Sequence, residues 1–114
     1  MTYIIAEIGS VHDGSIGNAL KLIDIVRACG ADCAKFQVHL AEFETRIDAP
    51  NPGYFSNESR YDYFKRTSFS KRQWEGLIEH CDDLKIEFAG LELFRIILVL
   101  LAVLKTFSSA TTPL

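Results

Sequence analysis

The order of elements at the start of the chain leaves few folds open. Tyr3-Ile4-Ile5-Ala6-Glu7-Ile8 is a short, nearly continuous apolar run rich in β-branched residues. Such a run reads as a strand covered on both faces, as in a parallel sheet. Gly9 to Gly17 is loop-like. From Asn18 to Cys29, the residues Ala19, Leu22, Ile23, Val26 and Cys29 recur at three- and four-residue spacing, with Lys21, Asp24 and Arg27 opposite them. That pattern is one buried helical face. Gly30 stands just beyond, where a helix commonly ends in the left-handed conformation. Ala31 to Val38 reads as a second strand. Strand, helix, glycine and strand in this order form a right-handed, parallel βαβ unit.

The stretch from His39 to Thr67 is long and irregular and holds Pro50 and Pro52. Its aromatic content suggests a short helix around Arg60–Lys65. Ser70 is placed to cap a further helix, with Trp74, Leu77, Ile78 and Cys81 on one face and an end near Leu84. Lys85 to Ala89 reads as a third strand. The resulting β-α-β-loop-α-β order opens either a barrel or a doubly wound sheet. The chain has 114 residues, whereas a complete (β/α)8 barrel takes about 250. The expected fold class is therefore α/β, with about three βα units, and barrel and doubly wound sheet both stay open.

Composition changes at Gly90. Leu91 to Leu104 is densely apolar, with Glu92 and Arg95 as its charges. It is shorter than the roughly 20 residues of a membrane span, so it reads as a buried helix. Ser108 to Leu114 reads as a frayed tail. Two parts follow: residues 1–90, and a divergent apolar helical C-terminal tail over residues 91–114.

A net charge of −3 without a clustered basic face argues against nucleic-acid or anionic-membrane partners. Cys29, Cys33 and Cys81 are odd in number and form no CxxC pair, which fits reduced, buried thiols in a cytoplasmic protein. The N-terminus has neither the basic n-region nor the long apolar core of a secretory signal.

In α/β folds, chemistry gathers beyond the carboxyl ends of the strands. Glu7 and Lys35 each stand at the end of an otherwise apolar strand, where a buried charge must be paired or used. Two readings stay open. One is an ion pair between adjacent strands. The other is a cationic seat for an anionic substrate, beside a carboxylate that handles protons. His12 and His39 read as solvated loop histidines, and His12-Asp13 is weak as a metal pair. Asp13-Gly14 reads as a turn. The glycine spacing matches neither the dinucleotide fingerprint nor a P-loop. Tyr54, Phe55, Tyr61, Tyr63 and Phe64 either pack the long loop or form a sugar-facing lid.

The residues Ile4-Ile5-Ala6-Glu7-Ile8-Gly9, His12, Gly14, Gly30-Ala31-Asp32 and Lys35-Phe36-Gln37 resemble, in order and spacing, the opening of the N-acetylneuraminate (sialic acid) synthase family. That family's pattern runs AEIG-x-N-H-x-G and then GAD-x-x-KFQ. The resemblance covers residues 3 to about 89. It implies that the α/β fold is a partial (β/α)8 TIM barrel, its first three or so βα units, and that the activity is condensation of phosphoenolpyruvate with N-acetylmannosamine or a related amino sugar. It also implies a homodimer, and a divalent metal, Mn2+ or Mg2+, acting as Lewis acid. By position, Lys35 would contact phosphoenolpyruvate, Gln37 and His39 would help hold the substrates, and Glu7 would serve as the catalytic carboxylate.

Three departures stand out. Val11 replaces the family's Asn before the histidine, which bears on sugar identity. Gly90-Leu91-Glu92-Leu93-Phe94 stands where the family carries a Ser/Thr-Pro-Phe phosphate-binding turn. The family's metal-binding histidines have no counterpart in this sequence. A truncated or frame-shifted synthase, inactive alone, is the expectation that accounts for these. The alternatives are a non-catalytic remnant or interaction module, and, less well matched to the apolar stretch, a tail anchor.

Overall fold

A computed structural model describes residues 1–51, 53–54 and 57–90. The expected helix and tail beyond Gly90, and Phe55 of the aromatic loop, lie outside the described residues. The elements are β1 (Ile5–Gly9), α1 (Ile16–Ala28), β2 (Cys33–Phe36), α2 (Ala41–Glu44), α3 (Arg60–Arg66), α4 (Lys71–Asp83) and β3 (Glu87–Gly90). The three strands are parallel and lie in the order β1-β2-β3. Both crossover helices, α1 and α4, share one hydrophobic core with one side of the sheet.

That side is built as the period-two rule requires. Ile8, Ala34, Phe36 and Ile86 point to the helices and meet Ala19, Ile23 and Val26 of α1 and Trp74, Leu77 and Cys81 of α4. Phe36 is its centre, stacked on Phe88 at 5.5 Å and edge-on to Trp74 at 5.8 Å between ring centroids. Tyr3, Ile5, Glu7, Cys33, Lys35 and Glu87 fall on the opposite side by register. Ile4 and Ile5, expected to be covered on both faces, are 51% and 55% exposed. For Ile5 the reason is physical: among the described residues, helices cover only one face of this sheet and Ile5 lies on the other, while Ile4 stands just before the strand.

Caps set the helix ends. Ser15, read as part of a loop, is the N-cap of α1, with its side chain accepting from Asn18 N. At the other end, Gly30 has φ +77°. Gly30 N donates to Arg27 O and Ala31 N donates to Val26 O, the paired bonds of a Schellman motif. Ser70 caps α4 and forms a reciprocal capping box with Gln73. The end of α4 repeats the Schellman pairing through Lys85 N to Asp82 O and Ile86 N to Cys81 O. There the left-handed position is held by Lys85 at φ 60°, without glycine's freedom.

The long connection is more ordered than its sequence suggests. Leu40 N donates to Glu44 Oε1 at 2.7 Å, which closes the short helix α2. Ser59 caps α3. Arg66 then ties α3 to the β1–α1 turn, with Nη1 at 2.6 Å from Asp13 and Nη2 at 2.6 Å from Glu58. Of the cysteines, Cys33 and Cys81 are buried and Cys29, expected inside, is exposed; none of the three is in a disulfide.

Candidate functional site

The polar residues converge at the carboxyl ends of β1 and β2. Parallel pairing sets Glu7 opposite Lys35, and their side chains meet at 3.2 Å. The expectation of buried charges is corrected: Lys35 and Glu7 are 40% and 51% exposed, because they stand on the open face. Further back on that face, the Tyr3 hydroxyl donates to the Glu87 carboxylate.

A register irregularity falls between Glu7 and Gly9. Gly9 adopts φ +59°, the conformation of a glycine bulge. The bulge lets the chain turn away immediately after Glu7, and Gly9 O accepts from Gln37 N at 3.0 Å. The space above Gly9 is open to both side chains: a Cβ there would lie 3.7 Å from Glu7 Oε1 and 3.8 Å from Gln37 Oε1. Glu7, Lys35 and Gln37 are thus one cluster.

The two histidines correct the solvated-loop reading. His12 is fully buried, its ring 4.5 Å from Phe69 and 6.1 Å from Phe36. Gly14 N donates to its Nδ1 at 3.1 Å, so Nε2 carries the proton of the neutral ring, and Nε2 has no partner. Desolvation holds its pKa below the usual histidine value; the nearby His39 adds to this and Asp13 opposes it. His12 therefore belongs to the packing under the β1–α1 turn and not to the cluster.

His39 has a side chain 11% exposed. Its Nδ1 meets Glu44 Oε2 at 3.0 Å, and its ring stacks on Phe64 at 4.2 Å. Glu44 is itself fixed by Leu40 N. This arrangement aims a ring with one nitrogen committed and leaves Nε2 buried without a partner. The pair His39–Glu44 spans five residues across a helix start, a spacing with no sequence signature of its own.

A cavity of about 560 Å³ joins these parts; it is lined by Ser10, Gln37, His39, Tyr54, Arg60, Tyr63 and Phe64. Ser10 Oγ and the Tyr63 hydroxyl hydrogen-bond at 2.8 Å across it, which locks α3 over the β1–α1 loop. Tyr63 and Phe64 of the aromatic group line the cavity, whereas Tyr54 at its rim is 83% exposed. Ser10, Glu44 and Arg60 were missed by sequence reasoning, since each is an ordinary loop or helix residue until the chain folds.

No group of three or more His, Cys, Asp or Glu side chains is arranged to hold a metal ion among the described residues. His12 lies among aromatic rings, His39 is engaged by Glu44, and His80 pairs with Asp24 between α4 and α1. The divalent ion implied by the resemblance therefore has no fitting donor set among the described residues. No helix among them is long and apolar enough to cross a membrane.

Fold and site together are those of a parallel α/β protein with its polar residues gathered at the strand ends. More narrowly, the chain belongs to the NeuB family, whose model matches residues 22–91. It is 39% identical over 92 residues to N-acetylneuraminate-9-phosphate synthase of Mus musculus, covering 77% of this chain and 26% of that protein. The spore coat polysaccharide biosynthesis protein SpsE of Bacillus subtilis is 38% identical over 60 residues, 53% of this chain and 15% of that one. Among solved structures, the N-acetylneuraminic acid (sialic acid) synthetase of Leptospira borgpetersenii, in complex with citrate, superposes with a TM-score of 0.58 at 26% identity. That match covers 77% of this chain and 28% of the other. The chain thus spans about a quarter of the length of the curated synthases it matches.

Proposed function

We propose that this chain carries the phosphoenolpyruvate end of a sialic-acid-type synthase site, in which phosphoenolpyruvate condenses with N-acetylmannosamine or a related amino sugar. In this reading residues 1–90 are the opening of a (β/α)8 barrel and residues 91–114 a divergent segment. Lys35 offers its ammonium to the substrate's carboxylate or phosphate. Gln37 and His39 hold the substrates, and Glu7 accepts or returns a proton at the reacting centre. The observation that supports this most is the juxtaposition of Glu7, Lys35 and Gln37 above Gly9, on the open end of the sheet. Membership in the NeuB family supports this reading, and so does a cation beside a carboxylate at one strand end.

The divalent metal of that chemistry acts as a Lewis acid when bound; no residue described here is assigned to it. Lys35 fixes the anion, Gln37 offers an amide that both donates and accepts, and Glu7 stands 3.2 Å from the Lys35 ammonium. The 114-residue chain alone is expected to bind phosphoenolpyruvate weakly and to release no phosphate. Isothermal titration with phosphoenolpyruvate tests this: heat lost on Lys35→Ala supports the assignment, and equal binding by both proteins refutes it. Should only protein partners bind, unaffected by Lys35→Ala, the interaction-module reading takes its place.

A further inference from the structure

Three buried side-chain polar atoms lack a partner among the described residues: His12 Nε2, His39 Nε2 and Arg60 Nε. The first is enclosed by aromatic rings. The other two belong to residues lining the same cavity of about 560 Å³ beside Gln37. A buried donor or acceptor without a partner costs about 1–3 kcal/mol, so two at one cavity mark a place where something else completes the bonding.

Charge says what kind of group that is. The described residues lining this cavity include no carboxylate, and Arg60 supplies its one permanent charge. Arg60 also borders a wider depression over residues 42–49. None of the three carboxylates there forms an ion pair with it: Glu44 is held by His39 and Leu40 N, Asp48 pairs with Arg46, and Glu42 has no ion pair among the described residues. No ion pair to Arg60 forms among the described residues, although Arg66, one helical turn and a half further along α3, has two. A half-buried guanidinium presents its donors in a planar fork suited to carboxylate or phosphate oxygens. His39, clamped between Glu44 and Phe64, adds a ring nitrogen whose position is fixed in advance.

We propose that the cavity between the β1–α1 loop, the end of β2 and α3 is an oxyanion subsite, in which Arg60 recognises a carboxylate or phosphate and His39, positioned by Glu44, completes its bonding. This deepens the synthase reading and rests on it only for what occupies the adjoining Lys35 site. Arg60 is then a specificity residue that tells acidic ligands from neutral sugars.

The test uses the full 114-residue chain labelled with nitrogen-15, titrated first with inorganic phosphate and then with phosphoenolpyruvate. The expected result is a saturable shift of the Arg60 Nε resonance at millimolar phosphate. Arg60→Gln should weaken phosphate binding about tenfold or more, the scale of a lost charge-assisted hydrogen bond. Arg60→Lys should retain part of it, and Lys21→Ala, a change at an exposed residue of α1, should leave it unchanged. If phosphoenolpyruvate displaces phosphate from Arg60, the oxyanion belongs to that substrate. If both bind together, a second ligand carries it. A non-saturating shift, or equal phosphate binding by Arg60→Gln with an unchanged circular dichroism spectrum, overturns the proposal. Loss of phosphate binding in Lys35→Ala but not in Arg60→Gln also overturns it, while leaving the Lys35 assignment standing. Failure of phosphoenolpyruvate alone counts against the synthase reading and not against this subsite.

Discussion

Replacing Gly14 by alanine separates two costs that are usually confounded. Gly14 has φ +79°, and a Cβ there would come 2.4 Å from the carbonyl oxygen of Arg66. Gly30 has nearly the same backbone, φ +77°, with nothing within 4 Å of its added Cβ. A left-handed conformation costs a non-glycine residue about 1–2 kcal/mol, and both substitutions incur it. Only Gly14→Ala also forces two backbones apart, and no rotamer change relieves that. Overpacking of this kind adds about 1–3 kcal/mol. Gly30→Ala should therefore lose about 1–2 kcal/mol and Gly14→Ala about 2–5 kcal/mol. Urea unfolding followed by Trp74 fluorescence reads the difference. At a slope of about 1 kcal/mol per molar urea, the two midpoints should separate by about 1–3 M. Gly14→Ala should also loosen the Ser10–Tyr63 and Asp13–Arg66 contacts, since both cross the same seam. Coincident midpoints for the two variants would show that α3 does not bear on the β1–α1 turn, and the reasoning about the cavity wall would go with it.

Lys85→Gly should stabilise the chain by about 0.5–1 kcal/mol, because Lys85 holds a left-handed helix end that glycine occupies freely; a lower urea midpoint would refute this. His12 is held neutral by burial, with a folded pKa below its unfolded value. Its contribution is thus fully present above about pH 6.5 and is lost as pH falls through that unfolded pKa, with a slope of up to about 1.4 kcal/mol per pH unit. Midpoints measured from pH 7.5 to 5.5 should fall, and His12→Phe should reduce the slope. Burial also pushes the Cys81 thiol up to about 11, so thiol reagents at neutral pH should label exposed Cys29 in the native chain and reach Cys81 only after unfolding. Equal labelling rates for the two would contradict the buried assignment.

Local pattern carried most of the fold. Periodicity placed α1 and α4, and Gly30 and Ser70 marked ends that hydrogen bonds then fulfil. What misled was any inference about covering. Ile4 and Ile5 read as doubly buried because a β-branched run looks alike whether one face or two are packed, and burial depends on residues far away in sequence. His12 and His39 read as solvated for the complementary reason. Their burial comes from Phe69 and Phe64, which reach them only when α3 and the residues leading into α4 close over the β1–α1 loop. Glu7 and Lys35 were legible because parallel register fixes neighbours by counting from the strand starts. Arg60 was not, because the lack of an ion pair to its guanidinium among the described residues is a property of the folded surroundings.

The half-exposed bond between Glu7 and Lys35 has a consequence for how an incoming anion is received. Ion pairs this accessible to water are worth about 0–1 kcal/mol, so exchanging the Glu7 carboxylate for another oxyanion costs Lys35 little. With no such partner bound, Glu7 holds the Lys35 ammonium at 3.2 Å, near the place where the proposed reading would use it. Once displaced, the carboxylate would stand beside the new arrival in the proposed site. In the proposed site the pair would serve as a resting position, so that one binding event would both seat an anion and free a carboxylate beside it.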